Sequence, residues 1–146
     1  MSEIYMNGLT LEEAKQVHDF YFEKLKFCGC GRPEDTLLFI KNLLVIIDEK
    51  WKQEKTMDNH HERYTMFQNK LREVFEFENK QEDNTHFSDT QEGIIQFVLY
   101  YLNEVDILEH GGSVGGSWLS EEGKNVLQIL NKITEWGELD LSFLDN

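Results

Sequence analysis

Apolar residues recur along this chain mostly at helical spacing. Thr10-Leu11-Glu12-Glu13 matches a capping box, with Thr10 as N-cap and Glu13 reaching back to it. Leu11, Ala14, Val17, Tyr21, Phe22 and Leu25 then mark one face of a helix running to about Phe27. Cys28-Gly29-Cys30-Gly31 breaks it. Pro33 suits the first turn of a second helix, with Glu34 and Asp35 at the positive end of its dipole. Leu37, Leu38, Ile40, Leu44, Ile47 and Trp51 make this helix the most apolar one and place it centrally. Asp58 or Asn59 caps a third helix, whose inner face is Tyr64, Phe67, Leu71, Val74 and Phe75. The polar, aperiodic run NKQEDNTHFS reads as an exposed, mobile loop over 79–88. Asp89-Thr90-Gln91-Glu92 reads as a second capping box, and Ile94, Ile95, Phe97, Val98, Tyr101, Leu102 and Val105 continue as a well-buried fourth helix.

The pattern then changes. Ile107 to His110 and Trp118-Leu119 are short apolar runs around Gly111-Gly112-Ser113-Val114-Gly115-Gly116. Two such runs about a glycine turn predict a β-hairpin over 106–119, with the glycines supplying positive-φ positions. Ser120 is a good N-cap for a fifth helix, Glu121 and Glu122 suit its first turn, and Val126, Leu127, Ile129, Leu130 and Ile133 recur at helical spacing. Gly137 is the expected stop. Beyond it Leu139, Leu141 and Phe143 alternate with polar residues, as in a short strand or an arm docked on a neighbour. The expected fold is mainly α: a single domain over 1–146 with about five helices and a small C-terminal hairpin. A chain of 146 residues can bury roughly 68–70% of its unfolded surface, enough for a real core.

Charge changes the functional picture more than the fold. Residues 1–80 carry fifteen acidic and twelve basic side chains, and residues 81–146 carry thirteen acidic ones against Lys124 and Lys132. Most of the net charge of −14 therefore sits in the second half. Such a surface repels nucleic acid and anionic membranes and favours a basic partner. No apolar stretch reaches the roughly 18 residues of a membrane span, and the first residues show no secretory pattern, so a cytoplasmic protein is expected.

Candidate chemistry is sparse. Cys28 and Cys30 can share a metal, but a closed zinc site needs two more ligands. His18, on the helix ahead of the cysteines, and His110, at the hairpin, are the candidates. The alternative is a small buried cysteine in a tight turn before Pro33. His60-His61-Glu62 fails as a metalloprotease helix, because Thr65 stands where the second histidine belongs. Gly111 to Gly116 lacks the lysine of a phosphate loop. Neither Ser113 nor Ser117 has a hydrolase context. A catalytic role is not expected, and neither is a required cofactor.

Helix, hairpin and helix in this order resemble the end of a winged-helix domain, with Trp118 to Lys124 similar to the strand-to-helix step after the wing. A DNA-reading wing needs cations for phosphates, and between Lys80 and Lys124 there is no lysine or arginine. FCGCGRPEDTLLFIKNLL and VLYYLNEVDILEHGGSVGGSWLSEEGKNVL resemble a set of small uncharacterised proteins encoded by bacteriophages and bacteria, which share the turn at Cys28 to Gly31 and the hairpin at His110 to Leu119. That resemblance implies an accessory protein without an assigned activity. It makes His110, Gly111, Gly112, Ser113, Gly115, Gly116 and Trp118 the binding candidates. The expectation is a non-enzymatic, acidic, cytoplasmic interaction protein that acts on a host protein if phage-encoded and contacts neither nucleic acid nor membrane. A zinc-stabilised module and a winged-helix DNA-binding regulator are the alternatives, and the amphipathic tail and many aromatic residues are compatible with a homodimer.

Overall fold

The computed structural model describes residues 3–27, 32–53, 60–77 and 87–136. Among them are five α-helices and two antiparallel two-stranded sheets, so the fold is mainly α with a small hairpin between the fourth and fifth helices. No described helix is long and apolar enough to cross a membrane. The chain divides into two compact units, Met1–Lys41 with Lys124–Asn146, and Asn42–Gly123. The cysteine turn, the caps expected at Asp58 or Asn59, most of the 79–88 loop, the Gly137 stop and the tail lie outside the described residues.

The first unit begins with a hairpin that the helical periodicity does not predict. Strand β1 (Ile4–Met6) pairs antiparallel with β2 (Leu9–Thr10). The turn is Asn7-Gly8, with φ of 51° and 86°. Asn-Gly between apolar residues is the strongest short hairpin signal. It is easily missed here because the strands are three and two residues long. The Asn7 carbonyl accepts from the Thr134 amide at 2.8 Å, and Asn7 Nδ2 donates to the Glu135 carbonyl at 3.2 Å, so the turn is fastened to the chain beyond the last helix.

Strand β2 runs directly into α1 (Leu11–Asp19), and the expected capping box is present. The Glu13 amide donates to Thr10 Oγ1 at 3.2 Å and the Thr10 amide donates to Glu13 Oε1 at 3.0 Å. Leu11 is exposed rather than on the inner face, whereas Leu9 of β2 is fully buried. The helix does not continue regularly to Phe27. It widens into a π-helical turn, Phe20–Lys24, with the Leu25 amide donating to the Phe20 carbonyl at 2.9 Å, and Lys26 leaves with φ of 58°. The wider turn keeps Phe20, Tyr21 and Leu25 all buried, and brings Phe22 and Phe27 edge-on to Tyr21 at 4.8 and 5.5 Å.

Glu13 also accepts from Lys132 Nζ. The Lys132 ammonium, and after it the Thr10 amide, hold the Glu13 carboxyl below its ordinary pKa. A depressed folded-state value means this contribution is present above the ordinary carboxylate range, about pH 4, and is lost as pH falls through the lowered value. Glu13→Gln keeps the oxygen that caps Thr10 but removes the titration. We expect it to flatten the acid limb of a plot of urea midpoint against pH. An acid limb identical to wild type would remove Glu13 from the account.

Helix α2 (Pro33–Gln53) starts at Pro33 as expected, and it and α5 (Glu121–Leu130) each contribute residues to both units. In the second unit α2 buries Leu43, Leu44, Ile46 and Ile47. Trp51 is half in solvent and stacks on Trp118, with ring centroids 5.3 Å apart, rather than facing inward with them. Helix α3 (His60–Phe75) buries Leu71, while Tyr64, expected inside, is 56% exposed. Helix α4 (Asp89–Glu104) is capped one residue earlier than expected. Ser88 Oγ accepts from the Gln91 amide and Gln91 Oε1 accepts from the Ser88 amide, at 3.2 and 3.0 Å. The serine-glutamine pair makes the box, and Asp89 and Glu92 move into the first turn, where their charge favours the dipole.

The end of α4 is closed by a Schellman arrangement built on Asp106, with φ of 65° where glycine is usual. The Ile107 amide donates to the Leu102 carbonyl at 2.9 Å and the Asp106 amide donates to the Asn103 carbonyl at 3.1 Å. The chain is thereby turned into β3 (Leu108–Glu109), which pairs with β4 (Trp118–Leu119) as the expected hairpin. Ser120 caps α5 as expected, its Oγ accepting from the Gly123 amide at 3.0 Å. The same hydroxyl faces the Asp106 and Ile107 carbonyls at 2.6 and 3.0 Å. One buried serine therefore ties the end of α4 to the start of α5.

Candidate functional site

The hairpin is held by polar contacts that include His110, Gly115 and Trp118 of its candidate residues. Asn103, in the last turn of α4, donates from Nδ2 to the Leu99 carbonyl at 2.8 Å and to Ser117 Oγ at 3.0 Å. Both amide protons are thus used, so Asn103 Oδ1 is an acceptor, and His110 Nδ1, 2.8 Å away, must carry the proton. In the neutral ring the lone pair lies on Nε2. The Ser117 hydroxyl donates to the Val114 carbonyl at 2.6 Å. It is therefore committed to closing a 3₁₀ turn over Val114–Gly116 and is not held by a base.

Trp118 Nε1 donates to Glu109 Oε2 across the strand pair at 3.1 Å, while its ring lies on Trp51. Lys50 Nζ donates to the Gly115 carbonyl at 3.2 Å. The C-terminal turn of α2 thus holds the hairpin through Lys50 and Trp51. The expectation about its glycines is corrected: none of Gly111, Gly112, Gly115 and Gly116 has a positive φ. The loop closes through the 3₁₀ turn and the Asn103–Ser117 bond, in ordinary backbone regions. A Cβ at Gly111, Gly112 or Gly116 would meet nothing within 4 Å, and Ser113, like these glycines, is exposed.

Of the zinc candidates, Cys28 and Cys30 lie outside the described residues. His18, half-buried in α1, sets Nδ1 3.1 Å from Asp19 Oδ1 and its ring 4.8 Å from that of Phe22. His110 is engaged with Asn103. Among the described residues no group of three or more His, Cys, Asp or Glu side chains is placed to hold a metal ion. The side chains of His60 and His61 lie outside the description.

The feature that the sequence reading missed is the outer face of α4. That helix was expected to be well buried. Ile95, Leu99 and Leu102 are, but Ile94 is 43% exposed, Phe97 78% and Tyr100 62%. Phe97, Tyr100, Tyr101 and Glu104 line a shallow, predominantly apolar groove. A signal was available. Apolar side chains at 94, 95, 97, 98, 100, 101 and 102 occupy more of the circumference than a single inner face can cover. A large apolar surface left outside is the informative departure, since scattered apolar residues are ordinary and contiguous ones mark contacts. Glu104 lines the groove with these residues, and the segment that carries this face also holds Asp89, Glu92, Asp106 and Glu109 and has no lysine or arginine from 81 to 123. No family model, curated protein or solved structure matches the chain.

Proposed function

We propose that this is a non-enzymatic, acidic interaction protein, and that the outer face of α4 is its contact surface. The observation that carries the reading is the run of Ile94, Phe97 and Tyr100 in solvent along one helix. Large apolar residues repeated about one helical turn apart are the anchors of helix-in-groove recognition. The charge around them selects the occupant. A second copy would bring like carboxylates together, whereas a partner helix with lysine or arginine beside its apolar stripe would pair them. The partner is therefore a protein presenting a cationic amphipathic helix. The resemblance to phage-encoded proteins makes a host protein the natural source. Winged-helix DNA reading is the weaker alternative, since the hairpin's own segment carries no lysine or arginine from 81 to 123 and Lys50, which meets the hairpin, donates to a hairpin carbonyl.

The test uses a helical leucine/lysine amphipathic peptide, with a leucine/glutamate peptide as control. Wild type is expected to bind the first and not the second, more weakly as salt is raised. Phe97→Ser with Tyr100→Ser should weaken binding at least tenfold, about 1.4 kcal/mol or more, without unfolding residues that are already exposed. Equal affinity of the double variant, or equal binding of the acidic peptide, overturns the proposal. A wild-type dimer that the double variant dissociates assigns the face to a second copy instead.

A further inference from the structure

The groove on the outer face of α4 has a regular construction. Gly93, Gln96, Phe97, Tyr100, Tyr101 and Glu104 line it. Gly93, Gln96, Phe97 and Tyr100 stand at i, i+3, i+4 and i+7, and Phe97, Tyr100, Tyr101 and Glu104 repeat that spacing four residues on. Residues three and four apart are neighbours on a helix surface, so each set of four surrounds one depression. Four residues in this arrangement form the hole that receives one side chain of a facing helix when two helices pack side by side. The face therefore carries two such holes in succession, sharing Phe97 and Tyr100. At a rise of about 1.5 Å per residue they are centred about 6 Å apart, close to one helical turn.

Gly93 deepens the first hole. Apart from proline, glycine is the poorest helix former, yet it stands inside α4. Its φ is not positive, and no described atom lies within 4 Å of the place its Cβ would take. Neither backbone strain nor crowding among the described residues accounts for it. What the missing side chain provides is room on the outside, where glycine lets a second body come close to the backbone. The second hole ends on Glu104, which favours a cation beside it and repels a carboxylate. We infer that the partner helix lies along α4, at about 20° to it, and seats two large apolar side chains one turn apart in the two holes, the deeper one over Gly93, with a lysine or arginine against Glu104. This register rests on the reading of α4 as the contact face.

The probe is the helical leucine/lysine peptide, labelled for fluorescence anisotropy. Gly93→Leu fills the first hole while adding apolar surface to the face. It is expected to weaken peptide binding at least tenfold, and Gly93→Ala roughly threefold. Both variants should melt higher than wild type, Gly93→Ala by about 3 °C, because α4 gains a better helix former. A face that bound through apolar area alone would hold the peptide more tightly with leucine at 93. Loss of affinity with gain of stability therefore separates a filled hole from an enlarged patch. Gly93 variants that bind the peptide as tightly as wild type, or more tightly, overturn the register; the contact face still stands if Phe97→Ser with Tyr100→Ser weakens binding. A Gly93→Ala protein that melts lower than wild type gives the glycine a role within the chain and overturns the register as well. Wild type that fails to bind the peptide removes the contact face and the register together.

Discussion

Replacing Gly123 with alanine should destabilise the protein by about 2–3 kcal/mol, a fall in Tm of roughly 6–9 °C for a chain of this size. The expectation runs against helix propensity, which favours alanine over glycine inside a helix by about 1 kcal/mol. Geometry decides the sign. Gly123 stands in the first turn of α5, buried, with its Cα against the Ile107 carbonyl. An added Cβ would collide with that oxygen, and it would sit 3.2 Å from the carbonyl carbon and 3.4 Å from Ile107 Cγ2. The oxygen cannot retreat freely. It accepts from the Ser120 amide at 3.0 Å and faces the Ser120 hydroxyl, so moving it loosens the capping bonds as well. Each such bond contributes about 1 kcal/mol. Thermal melts of Gly123→Ala beside Gly111→Ala and Gly112→Ala make the check. The hairpin variants should stay within about 0.5 kcal/mol of wild type, since their Cβ atoms enter open space. A Gly123→Ala protein as stable as wild type, or more so, would mean that the close approach is not a constraint.

Gly8→Ala is the second large effect, of about 2–4 kcal/mol, and for two reasons at once. At φ of 86° a side chain is strained whatever space it has, at a cost of about 1–2 kcal/mol. The added Cβ would also collide with the Lys132 carbonyl oxygen and come within 3.5 Å of Thr134 Cγ2. The turn should lift away from the segment after α5, breaking the bond from the Thr134 amide to the Asn7 carbonyl. Hydrogen exchange reads this directly. The Thr134 amide should lose protection in the variant by more than the global fall in stability accounts for. Unchanged protection at Thr134 together with an unchanged Tm would show that alanine is accommodated.

The helices were legible because their signals are local. Thr10 and Glu13, Pro33, and Ser120 lie within four residues of what they cap or start, and each acts where the sequence places it. Where a local signal was misread, a competing local signal was close by: Ser88 and Gln91 outbid Asp89 and Glu92 by one residue, and Asn7-Gly8 marked a hairpin too short to show as alternation. The ends of α1 and α4 were less legible, since the left-handed residues that finish them are Lys26 and Asp106 rather than glycines.

The candidate sites divide in the same way. From the sequence come the acidic second half, the hairpin between two helices and the excess of apolar residues on α4. Which of those residues stay outside depends on what the rest of the chain leaves uncovered. Phe97 and Ile95 are both large and apolar, yet one is exposed and the other buried because they occupy different sides of the helix.

By itself the sequence determined a mainly helical chain, its N-terminal caps, its charge and its hairpin, since propensity, capping and periodicity act over a few residues. Only the tertiary structure decided which glycines are indispensable. Of the four that crowd the hairpin, three sit in open space and Gly115 has only an ordinary contact with Ser113 Oγ, whereas Gly8 and Gly123 are pressed against carbonyls 124 and 16 residues away in the chain. A missing Cβ matters where two distant backbones meet, and that meeting is set by packing rather than by neighbours in sequence.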